Sequence, residues 1–430
     1  MSRPLLIENA RVLDPASGTD ARGAVLVEDG RISDIALGGP VGVPDGAEVI
    51  NALGLALAPG LIDMRVFTGE PGWEYRETLA SAGEAAAAGG VTSFVMMPDT
   101  LPVVDDGAVV DFLIRRAKAT AKVNVLPAGG ITKGLAGQEL TEFGLMKEAG
   151  AVCLSDGRRS IQSTAMLRTA MSYASNFDML FVHHLSDAGL TGDGVMNSGL
   201  FATVLGLKGI PREAETIPLA RDVQLAALTG VRYHAAQVST AGSVAILNSG
   251  KSRNHRITAG VSINNLCLNE NDVGRYRTYF KLATPLRSED DRQAVIEGLR
   301  SGAIDTIHSD HDPQDSEGKR QPFAEATDGA IGLETLLAAA LRLHHSDEVP
   351  LLTLLRAMTS RPAEILGLEA GRIAKGAPAD LILVDLDYPW QVDAATLKSR
   401  SRNTSFEGAR LAGKVMRTIV GGETVFSHEG

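Results

Sequence analysis

The chain of 430 residues is short of cysteine, of long apolar runs and of surplus positive charge, and each shortage removes a class of protein. Cys153 and Cys267 are its only cysteines. A disulfide-stapled secreted domain needs more, so the two thiols read as small buried hydrophobes in a reducing, cytoplasmic setting. No stretch of roughly 18 apolar residues occurs, which argues against a membrane-spanning helix. The opening M-S-R-P-L-L-I-E-N-A also lacks an apolar core long enough for a secretory signal. Asp and Glu outnumber Lys and Arg by 52 to 41, a formal net charge of −11. That balance leaves no electrostatic footprint for nucleic acid or an anionic membrane.

What is present is patterned differently at the ends and in the middle. L-L-I-E-N-A-R-V-L-D and A-V-L-V-E-D-G-R-I-S-D-I near the start are short alternating runs cut by Gly, Asp and Asn. G-A-P-A-D-L-I-L-V-D-L and V-M-R-T-I-V-G-G-E-T-V-F repeat the style near the end, with Asp29-Gly30 and Gly421-Gly422 as hairpin turns. The expectation is a small β-sandwich built from both termini, residues 1–57 with 371–430. Between them, residues 58–370, eight apolar strands alternate with helical stretches. The strands are expected at Leu61–Phe67, Thr92–Met97, Val123–Ala128, Val152–Ser155, Met179–His184, Tyr233–Val238, Ile257–Val261 and Thr306–Asp310. Eight β-α alternations predict a (β/α)8 barrel of the TIM type, an α/β fold whose reactive residues sit at the C-terminal strand ends. Periodicity alone also allows an open doubly wound sheet.

Those strand ends carry the chemistry. The first reads A-P-G-L-I-D-M-R-V-F-T-G-E-P-G, delivering Arg65 and Phe67. The fourth ends at Asp156, and the fifth at His183, His184 and Asp187. The sixth carries His234 and Gln237, and the eighth His308, Asp310, His311 and Asp312. A carboxylate at the end of the eighth strand can act as metal ligand or general base. The plainer reading is a barrel mouth filled with hydrogen-bonded polar groups.

In order along the chain, P-G-L-I-D-M, E-P-G-W-E-Y-R-E-T, A-A-A-A-G-G-V-T, M-M-P-D-T, T-P-L-R, S-D-H-D-P, K-R-Q-P-F, G-L-E-T and M-T-S-R-P-A-E-I-L-G-L resemble the dihydroorotase family of cyclic amidohydrolases, in its longer, sandwich-bearing form. The resemblance spans nearly the whole chain. It implies an amidohydrolase barrel, a place in pyrimidine biosynthesis, self-association and a zinc site of one or two ions. It also implies where that site should be. The His-x-His of the first strand falls on Arg65 and Phe67, the bridging carboxylate on Asp156, the fifth-strand histidine on His184, the sixth-strand histidine on Gln237 and the catalytic aspartate on Asp310. Asp156, His184 and Asp310 keep a ligand type. Arg65, Phe67 and Gln237 do not, because a guanidinium has no lone pair to give and a phenyl ring is no ligand.

The substrate positions are altered too. The family's carboxylate-clamping arginine falls on Gly69, its amide hydrogen-bonder on Asp99, the P-H-H-L stretch on Ile263-Asn264-Asn265-Leu266 and a final histidine on Gln314. The sequence therefore implies a dihydroorotase relative whose catalysis is lost, with zinc absent or weakly held. Inactive relatives of this kind associate with aspartate transcarbamoylase, and the resemblance points to that partner. The alternative is an active zinc-dependent hydrolase with a reduced or relocated site that recruits His183, His308 or His311. A buried Arg65 needs an acidic partner; Asp310 and Asp156 are the candidates.

Overall fold

The computed structural model describes residues 3–39, 41–254 and 256–428. The chain opens with β1 (Leu5–Asp14), β2 (Thr19–Glu28), β3 (Arg31–Leu37), β4 (Glu48–Asn51) and β5 (Ala56–Pro59). Eight parallel strands follow, interrupted by one short pair, β11 (Met196–Asn197) and β12 (Gly209–Ile210). They are β6 (Leu61–Val66), β7 (Val91–Met96), β8 (Asn124–Gly129), β9 (Cys153–Leu154), β10 (Leu180–His183), β13 (Arg232–Ala235), β14 (Ile257–Ser262) and β15 (Thr306–His308). The chain ends with β16 (Leu381–Gln391), β17 (Arg410–Val420) and β18 (Glu423–Ser427).

The eight parallel strands pair in sequence order from β6 to β15, and helices cover their outer side. Every residue of β6, β7 and β14 is buried, as expected of strands covered on both faces. The two ends of this row meet. Val66 bridges His311 in parallel, and the Phe67 amide donates to the His311 carbonyl at 2.8 Å. The Asp63 carboxylate completes the closure by accepting from the Arg65 and Ser309 amides, both at 3.0 Å. Burial pushes Asp63 up to about 6 despite these donors. The result is a (β/α)8 barrel, as the alternation of elements predicted.

Strands from both chain ends form a second sheet in the order β18-β17-β16-β5-β1-β2-β3, with β4 also on β1. It is one continuous hydrogen-bonded path, and β5 carries it to Pro59, two residues past the expected boundary. Its two faces have separate jobs, as a side-chain period of two requires. Leu57, Leu381, Leu383 and Ile419 enter the sheet's own apolar core with Ile7, Val25 and Ile32. Ala56, Ala58, Ile382 and Val384 pack into the barrel's outer core. The turns Asp29-Gly30 (φ 47° and 75°) and Gly421-Gly422 (φ 54° and 81°) take the left-handed pairs that tight hairpins need.

Candidate active site

The end of β6 places Arg65 under the rim of the barrel, with only 3% of its side chain exposed. Its Nε donates to Asp310 Oδ1 at 2.9 Å, and Nη1 lies 3.4 Å from the Gly157 carbonyl. The expected partner is thus Asp310 and not Asp156. Asp310 sits at φ 51°, a left-handed conformation held by the Asp63 clamp on the preceding residue. Phe67 occupies the neighbouring inward position, and two guanidinium groups lie over its ring. That of Arg65 is 5.0 Å and that of Arg158 is 3.8 Å from the centroid. Such contacts draw a cation to the negative face of the ring.

Arg158 was not singled out from the sequence, yet it organises the rest of the mouth. Its Nε donates to Asp312 Oδ2 at 2.9 Å, and its Nη2 to the other carboxylate oxygen, a bidentate fork. Its backbone amide donates to Asp99 at 3.2 Å. Burial opposes its charge, but Asp312 and Asp99 outweigh it and hold the pKa above the usual arginine range. Burial pushes Asp99 up, against the pull of Arg158. The hint in the sequence was S-D-G-R-R-S itself. Gly157 is left-handed (φ 62°), and a Cβ there would lie 1.4 Å from Asp99 Oδ2. Gln314 joins the group by donating to Asp312 at 2.7 Å.

The other expected site residues are engaged elsewhere. Asp156 accepts from the amides of Ile131 (2.8 Å) and Thr132 (2.9 Å) and from the Thr132 hydroxyl (2.6 Å), so it secures the turn after β8. Burial raises its pKa, and those donors only partly offset this. Gln237 donates to Asn265 at 3.0 Å, and Asn264 turns back on Ser262. Gly69 lies in a tight turn where a Cβ would sit 2.0 Å from the Trp73 carbonyl. An arginine there is excluded by the backbone itself. His184 keeps an unpartnered ring nitrogen, Nδ1, as do His308 at Nδ1 and His311 at Nε2. Burial first, then the Arg65 cation, holds the His184 pKa well below the usual imidazole value.

Of the histidines considered for a relocated site, His183 is engaged at both ring nitrogens, and His308 and His311 at one each. His183 accepts the Ile161 amide on Nε2 and so donates from Nδ1 to Asp222 at 2.5 Å, beside the Tyr233 hydroxyl. His308 donates from Nε2 to the Ala236 carbonyl at 3.1 Å. His311 accepts the Gly332 amide on Nδ1, with Nε2 at 3.4 Å from Glu77. Of the retained ligand types, Asp310 is taken by Arg65 and Asp156 by the Thr132 turn. The unpartnered nitrogens of His184 and His308 stand near the fixed Arg65 cation, and that of His311 faces Glu77; this does not fit zinc, which needs several lone-pair donors converging on one point. Among the described residues no set of three or more His, Cys, Asp or Glu side chains is placed to hold a metal.

A closed parallel barrel, a sheet from both termini and polar groups gathered at the C-terminal strand ends define an amidohydrolase-type protein. In agreement, the chain superposes on L-hydantoinase (dihydropyrimidinase) from Arthrobacter aurescens with a TM-score of 0.89 over 100% of this chain and 97% of that one, at 24% identity. Dihydropyrimidinase from Brevibacillus agri NCHU1002 gives 0.85 over 99% and 95%, at 19% identity. A dihydro-orotase-like family model matches residues 54–243, and an amidohydrolase family model residues 297–426. The dihydroorotase of Anaeromyxobacter dehalogenans (strain 2CP-C) is 42% identical over 427 residues, 99% of this chain and 98% of its own length. That of Citrifermentans bemidjiense is 41% identical over 98% and 99%. The chain belongs to the dihydroorotase family.

Proposed function

We propose that this dihydroorotase-family chain serves pyrimidine biosynthesis without catalysing ring hydrolysis, as a structural partner of aspartate transcarbamoylase. The observation that carries the reading is the buried Arg65–Asp310 pair. Hydrolysis of a cyclic amide in this barrel calls for a metal-bound hydroxide and a free carboxylate to move its proton. A metal brings the pKa of bound water from about 15.7 to about 7. The Arg65 cation supplies charge but binds no hydroxide, and the missing lowering corresponds to about 12 kcal/mol. The same cation occupies the carboxylate that would handle the proton. Gly69 and Asp99 compound this, since one removes the arginine for an anionic substrate and the other adds a like charge.

The reading is tested on purified protein by zinc analysis together with a dihydroorotate turnover assay. The expected result is zinc far below one ion per chain and no turnover above background. One or two tightly held zinc ions with turnover would defeat it. The assembly role is tested by co-purification with the transcarbamoylase subunit. It fails if that enzyme assembles and works equally well without this chain.

A further inference from the structure

The opposite end of the barrel has a feature that the site at the mouth does not use. An open cleft of about 640 Å³ lies where β14 and β15 begin, beside the turn joining β1 and β2. Five charged side chains line it: Lys251, Arg300, Arg356, Arg361 and Asp305. Four cations around one carboxylate reverse the balance of a chain whose net charge is −11.

The carboxylate is already committed. Asp305 accepts from Lys251 and the Ala259 amide on one oxygen, and from Arg361 on the other at 2.8 and 3.0 Å. Its charge is therefore shared by two cations and neutralises neither fully. The nearest other acids act from outside the cleft. Glu297 lies 3.3 Å from Arg300, and Glu364 lies 2.9 Å from Arg361. The Arg300–Glu297 pair is more than half exposed on both sides, a geometry that contributes little in water. Arg356, exposed near the end of the helix Leu351–Met358, has no ion pair among the described residues.

A cleft of this volume suits a small molecule, and planar guanidinium forks match the oxygens of phosphate. We propose that the cleft binds a small phosphate-bearing anion through Arg356 and Arg300, with Lys251 and Arg361, fixed by Asp305, as its rear wall. The two gripping arginines are solvent-exposed, so replacing them leaves the packed core intact. The site lies at the N-terminal strand ends, away from the mouth, so its failure or success is independent of whether the barrel hydrolyses anything.

The test is isothermal titration calorimetry on the full chain with inorganic phosphate and, separately, with glycerol 3-phosphate, the ionic strength held constant with chloride. Saturable binding of at least one is expected, weakened tenfold or more in R356A/R300A. Tighter binding of inorganic phosphate identifies the free ion as the ligand, and tighter binding of the ester identifies a phosphate monoester. No saturable heat with either, or binding undiminished in R356A/R300A with its circular dichroism unchanged, overturns the proposal.

Discussion

A guanidinium buried against a single carboxylate leaves neither group free to do anything else, and that makes Arg65 the most consequential side chain in the barrel. Removing one member of such a pair strands the other charge, which costs about 3–5 kcal/mol when the site is dry. R65M is therefore expected to lower stability by about 3 kcal/mol in guanidinium denaturation. The double change R65M/D310L should recover a large part of that loss, because no unpaired charge remains. If R65M costs less than about 0.5 kcal/mol, the pair is not holding the mouth together. This pairing was legible in the sequence, because a buried arginine must find an acid. The choice between Asp156 and Asp310 was not. It depends on Thr132, a residue from a different strand end whose hydroxyl and amide capture Asp156. Arg158 escaped notice for a related reason: its importance comes from Phe67 and Asp312, far away in sequence.

At the scale of elements, all eight barrel strands could be read from alternation and punctuation, with no end shifted by more than three residues. Which way a rim side chain turns could not, since strand alternation stops where the strand stops. Gly69 shows the consequence. Read along the sequence it stands where the resemblance places an arginine; in the structure it lies in a tight turn whose amide meets the Glu77 carbonyl at 3.0 Å. G69A should destabilise by about 2 kcal/mol or more, since overpacking of this kind costs 1–3. Thermal denaturation unchanged by G69A would show that the turn yields. Inside β13, His234 gives a pH signature. Its Nδ1 donates to the Thr258 hydroxyl at 2.9 Å, and burial takes its pKa down to about 3. The unfolded chain takes up a proton below about 6.5 and the folded chain does not. The stabilising contribution is thus complete above 6.5 and is lost as pH falls toward 3. Between pH 7.5 and 5 the wild type should lose about 2 kcal/mol more than H234Q. Parallel pH profiles would refute this.

For the molecule as a whole, the proposed loss of metal binding raises the question of whether the barrel could still present ligands at the same strand ends. The closing contacts are intact: Asp63 still ties β6 to β15, and Phe67 still pairs with His311. Strand ends held this firmly should present new side chains where the old ones stood. R65H/F67H/Q237H supplies three imidazoles near His184 and also releases Asp310 from its guanidinium. Zinc should then bind at about one ion per chain and raise the melting temperature, by about 2.7 kcal/mol of added stability at a hundredfold excess over Kd. Turnover of dihydroorotate should stay absent, because Gly69 cannot carry a clamping arginine and Asp99 still repels an anion. The variant must first be shown folded without zinc by circular dichroism. A folded variant that takes up no zinc would mean that the Arg158, Asp312 and Asp99 network blocks the mouth independently of the ligands. A variant that hydrolyses dihydroorotate would mean that the substrate site survived, and that the metal was the one part this chain gave up.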